Sequence, residues 1–165
     1  MIDPHPTDTP TAARTSALNI IDQLDATHEQ MRYWLEELKS LVTHLDDQGW
    51  DTWARDHARS IIEYFGGTAR QHHWEVDRKV LPLVTGRGDR AIEAHVDTLR
   101  QDHGWLDESW SELSAQLQPV AEGFGGYDID TLRQASEVYD GLLREQLVRE
   151  YAVVPTARAL AVSGA

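Results

Sequence analysis

The chain has 165 residues, 41% of them apolar, with 15 basic side chains against 28 acidic ones and no cysteine. A net charge of -13 repels phosphate backbones and anionic lipid alike, which argues against nucleic acid and membrane surfaces as partners. Without cysteine there is no disulfide and no thiolate ligand, so any metal must be held by nitrogen and oxygen.

Residues 1–14 are rich in Pro and Thr, lack an apolar period and read as a flexible N-terminal arm. They carry neither the basic patch nor the apolar run of a secretory signal, and no stretch is apolar enough to span a bilayer. The expectation is a cytoplasmic protein whose single domain covers 15–165. With Thr15 or Ser16 as cap, Ala17, Ile21, Leu24, His28, Met31, Leu35, Leu38, Val42 and Leu45 step by four and three. That is one long amphipathic helix, and His28 is the polar interruption on its inward stripe. Gly49 marks a turn, and Asp51 is placed to cap the next helix.

The second helix spans about Thr52 to Leu81, with Ala58, Ile62, Phe65 and Ala69 leading to a His pair and then to Val76 and Val80. Its stripe reaches either His72 or His73. The second is preferred because its neighbour one turn on is Asp77 rather than Val76. Gly66 and Gly67 lie inside the pattern and predict a bend or a close helix approach. A third helix, about Asp89 to Gln118, repeats the first, with Ile92, Val96, Leu99, His103, Leu106, Trp110, Leu113 and Leu117 in line. Pro119 opens the longest loop, and Asp128 or Asp130 caps a fourth helix whose inward line includes Tyr139, Gln146, Glu150 and Val153. After Pro155, TARALAV suggests a short helical tail. No strand pattern occurs, and the fold class predicted is all-α, an up-down-up-down four-helix bundle.

The chain repeats itself. The offset that carries His73 onto Gln146 also carries Asp77 onto Glu150 and Pro82 onto Pro155, and His28 and His103 hold corresponding places on the preceding helices. Burying these polar groups costs several kcal/mol unless they pair with each other or share a metal, and imidazole with carboxylate suits iron, manganese or zinc. Asp107 and Glu145 are further carboxylates near the second half of this set. Glu75 and Asp102 flank it and are candidates for orienting a ligating imidazole. Trp110 reads as core, whereas Trp74, Trp105, His44, His57 and His95 read as surface or boundary residues.

The strings LDATHEQM, GTARQHH followed by RKVLP, and QDHGWLDESW resemble bacterial hemerythrin-like proteins, the HHE cation-binding group, over roughly residues 17–160. The resemblance implies a four-helix bundle with a non-haem di-iron centre, dioxygen as the small-molecule partner, and a carrier, sensor or iron-handling role. Carried over residue by residue, it implies His28, His73, Asp77, His103 and Glu150 as ligands, with Asp77 and Glu150 bridging. Two departures stand out: Asp77 replaces the family's Glu, and Gln146 stands where the fourth helix should carry His. The second iron position is therefore depleted, and one iron rather than two is a defined alternative. An oxygen-activating enzyme acting on a small substrate and a metal-free interaction bundle are the rival readings.

Overall fold

The computed structural model describes residues 10–87, 89–123 and 126–164. Its elements are α1 (Pro10–Asp22), α2 (Leu24–Gln48), α3 (Thr52–Glu63), α4 (Arg70–Glu75), α5 (Arg90–Glu122) and α6 (Ile129–Ser163). No strand occurs among the described residues. α1 and α2 form one continuous rod, because the backbone bonds Gln23 N–H to Asn19 O and Thr27 N–H to Gln23 O bridge the single break at Gln23. α3 and α4 make the second rod, and α5 and α6 the third and fourth. Contacts of α2 with α3, α3 with α5, α5 with α6 and α6 with α2 close the ring of an up-down-up-down bundle.

Caps fix where three of these rods start. Asp51 accepts from Ala54 N–H, Asp89 from Ala91 and Ile92 N–H, and Asp128 from Thr131 N–H, so Asp128 rather than Asp130 caps α6. The helical ends differ from expectation at three places. α1 begins at Pro10, so residues 10–14 of the predicted arm are helical; Pro is well suited to a first helical turn, where its missing N–H loses nothing. Residues 1–9 lie outside the described residues. α5 continues past Pro119 to Glu122 and stops at Gly123, whose φ of 82° is the left-handed cap that glycine adopts readily. α6 runs through Pro155 as one helix instead of ending there.

The second rod holds the main irregularity. Tyr64–Ala69 and Val76–Val80 are π-helical, and α4 is a short α segment between them. Gly66 and Gly67 fall in the first π turn. A Cβ on Gly66 would meet the Trp110 ring at an ordinary 3.6 Å, and one on Gly67 would meet nothing, so these glycines serve the wide turn and not a close helix approach.

Two apolar clusters stack along the bundle. One is built on Met31, Leu35, Phe65, Trp110, Leu113 and Tyr139; the other on Ala17, Ile21, Val76, Leu99 and Val153. Between them each rod contributes polar, buried side chains: His28, His72 with His73, His103, and Gln146 with Glu150. A polar layer sealed above and below by hydrocarbon is where metal sites of helical bundles are built.

Candidate metal centre

Glu150 is the hub of this layer. It is 2% exposed, and its two carboxylate oxygens face different partners. Oε2 accepts from His28 Nε2 at 2.5 Å and from His72 Nε2 at 3.1 Å. Oε1 accepts from the Gln146 amide at 2.7 Å and has His103 Nε2 at 3.8 Å. Burial raises the pKa of Glu150, but the imidazoles of His103, His28 and His72 around it outweigh that and hold the group well below the usual carboxylate range.

Three donor atoms, one each from His28, His72 and Glu150, lie within 4.8 Å of one another and could share one ion. His28 and Glu150 thus stand where the sequence places them, but His72 takes the position expected of His73. The register choice between the two assumed a straight α-helix through Gly66 and Gly67. The π turn there breaks that register, and both imidazoles are buried.

His73 lies on the other side of the layer. Its ring stacks on His103 with centroids 5.0 Å apart, and its Nε2 is buried with no hydrogen-bond partner. Burial, followed by the neighbouring His103, lowers its pKa to about 3, so the ring is neutral at any ordinary pH with a free donor or acceptor atom.

Asp77 lies beside His103. It accepts from His103 Nδ1 at 2.7 Å and leaves the opposite nitrogen, Nε2, directed at Gln146 and Glu150. A carboxylate that fixes the tautomer and tilt of an imidazole in this way is the usual outer partner of a metal-ligating histidine. Asp77→Asn is therefore expected to loosen the His103 ring and to cost about 1–2 kcal/mol, the worth of a partly exposed hydrogen bond to a charged group. Urea unfolding of the metal-free protein measures the loss, and unchanged stability would remove the role.

His103 and Gln146 are coupled. Burial lowers the His103 pKa, but the hydrogen bond to Asp77 and the nearby Glu150 carboxylate outweigh it and carry it up to about 9. The Gln146 amide nitrogen sits 2.8 Å from His103 Nε2, which requires a lone pair on that nitrogen. A proton there would face the amide hydrogens, so the charged ring that this raised pKa favours and the amide orientation present exclude each other. Protonation requires the amide to turn over and set its oxygen against Glu150. In the arrangement present, Gln146 Oε1 is buried without a partner.

The other carboxylates are accounted for. Asp107 pairs with Arg70 at 3.5 Å, and Glu145 pairs with Arg149 at 3.6 Å; both are exposed and neither completes the second position. Asp102 is buried and bound by Arg149 at 2.6 Å, tying α5 to α6 beside the site, whereas Glu75 serves Gln71 and Lys79 on the surface. Trp74 and Trp105 are exposed. His44 pairs with Asp51, and His57 stacks on Trp53, both away from the layer. A surface cleft lined by Gly66, Arg70, His73, Trp74, Asp77 and His103 leads to the His73 side of the layer. Tyr151, which no sequence pattern singled out, sets its ring edge on His28 at a centroid distance of 4.8 Å.

This donor set fits a cation. Three imidazoles and an amide converge on both oxygens of one carboxylate, and His28 Nδ1, His73 Nε2 and Gln146 Oε1 are buried without protein partners. Fold and site together define a cation-binding helical bundle with nitrogen and oxygen ligands. Residues 19–154 match the hemerythrin HHE cation-binding domain, and the chain belongs to that family. It is also similar to a protein of Haemophilus influenzae described only as uncharacterized, 26% identical over 100 residues, which are 61% of this chain and 58% of the relative. No solved structure matches the chain. No helix among the described residues is long and apolar enough to cross a membrane.

Proposed function

We propose that the protein binds non-haem iron between His28, His72 and Glu150, and that dioxygen is the small molecule it handles as a carrier, sensor or iron-handling protein. The observation that carries this reading is the convergence of two imidazoles on one buried carboxylate oxygen, with donors within 4.8 Å. Two histidines and one carboxylate with positions left open suit ferrous iron, which supplies reversible one-electron chemistry and affinity for dioxygen when bound. The protein's own residues set the donors around one carboxylate, exclude bulk water by the two apolar clusters, and leave the His73 cleft as the approach for a small molecule.

The second position is the weak one. It has His103, Glu150 Oε1 and the Gln146 amide, and an amide oxygen is a poorer donor to iron than imidazole. Iron per chain after anaerobic Fe(II) loading and desalting is expected to give one tightly held equivalent. Gln146→His should raise it towards two. No retained iron in the parent would remove the reading, and an unchanged count in Gln146→His would show that the second half lacks more than one ligand. The polar cleft beside His73 and Asp77 favours one rival, an oxygen-activating enzyme with a small substrate. Irreversible rather than reversible spectral change on aeration would favour it.

A further inference from the structure

Tyr151 has three properties that seldom coincide at a side chain with only a packing role. Its ring meets the His28 ring edge to face, centroids 4.8 Å apart and planes at 81°. Its hydroxyl donates to Asp25 Oδ1 at 2.8 Å. It is 37% exposed, whereas His28 is fully buried. The chain thus places one phenol between a buried ligand and the solvent, with a carboxylate in position to take its proton. His28 Nδ1 has no hydrogen-bond partner, and Tyr151 is the nearer of the two rings, Tyr151 and His72, that pack on His28.

From this juxtaposition we infer that Tyr151 is a redox-active side chain that passes an electron through His28 to the metal position and gives its proton to Asp25. The inference rests on the iron reading above. The physical reason is that a phenol gives up an electron readily only when its proton has somewhere to go, because the oxidised phenol is a strong acid. Asp25 is that acceptor. The oxidant is a peroxide: reduction of one H2O2 to two waters takes two electrons and two protons. A bound ferrous ion would supply one of these electrons, and Tyr151 supplies the other and becomes a neutral phenoxyl radical. The phenolic proton leaves through Asp25 to solvent, and both protons consumed come from solvent. The effect is to move an oxidising equivalent from the buried layer to a surface ring, where an external reductant can reach it.

The other tyrosines are differently placed. Tyr33 is exposed but its ring partner is Trp34, Tyr64 and Tyr139 are buried in the aromatic cluster below the layer, and Tyr127 packs partly buried against that same cluster. The test uses the full chain loaded anaerobically with Fe(II), its iron content measured, then given H2O2 and frozen for electron paramagnetic resonance. A parallel sample is followed for dityrosine fluorescence, which reports an exposed tyrosyl radical by cross-linking. The parent and Tyr33→Phe should give the radical and the fluorescence. Tyr151→Phe, which removes one hydroxyl and no ligand, should retain its iron and lose both signals, and Asp25→Asn should lower the radical yield. A Tyr151→Phe protein with parental iron and parental signals overturns the inference. So does an iron-loaded parent that gives no radical, with the iron reading intact. A parent that retains no iron overturns both, and the iron count tells these cases apart.

Discussion

His72→Ala is expected to abolish the tightly held iron, whereas His73→Ala should leave it in place. The two residues are adjacent, of the same type and both buried, so composition and exposure do not distinguish them. Geometry does. His72 Nε2 shares Glu150 Oε2 with His28, and removing it leaves two donors where three converge. The loss should exceed the roughly 10–100-fold that follows from removing an outer partner of a ligand. His73 meets the layer through ring contacts with His103 and His72 and makes no bond to Glu150, so its removal weakens the second position and opens the cleft further. Competition against a coloured ferrous chelator reads both effects, with far-ultraviolet circular dichroism as the control for folding. The reverse pattern would mean that the second rod keeps a straight α-helical register, and the assignment of His72 would fall.

This contrast shows where the sequence could be read and where it could not. On α2, His28 follows Leu24 and precedes Met31 and Leu35 at regular helical spacing; on α5, His103 follows Leu99 and precedes Leu106 and Trp110 in the same way. Nothing disturbs the helix across either stretch, so both imidazoles were legible from periodicity. Gln146 and Glu150 were legible too, being one turn apart on an uninterrupted α6. The second rod was not, because π turns change the angular step and leave no reliable mark beyond a pair of glycines. That is why His72 and not His73 is grouped with His28 and Glu150, and why Asp77 is found against His103. The helix running through Pro119 and Pro155 was hidden for another reason: tertiary packing sustained both helices past a residue that breaks isolated ones. Tyr151 was illegible because its significance lies in α2, which brings His28 and Asp25 to it from far away in the chain.

Glu150→Ala should cost more than any other single change in the layer. Because Oε2 serves His28 and His72 while Oε1 serves Gln146 and faces His103, its loss removes a donor from both metal positions at once. No stoichiometric iron should survive desalting. The metal-free fold should suffer as well, since two imidazoles and an amide lose their acceptor inside a sealed layer. Each orphaned buried group costs about 1–3 kcal/mol. Imidazoles escape part of that cost by staying neutral, so a total of about 3–5 kcal/mol is expected, as for breaking one side of a buried pair. Glu150→Gln separates the two effects. It keeps the volume and one oxygen acceptor, so it should lose iron as completely as Glu150→Ala while losing less stability in urea unfolding with chelator present. If Glu150→Ala retained parental iron, the carboxylate would not be the shared ligand, and the metal would have to be sought on the His73 side of the layer.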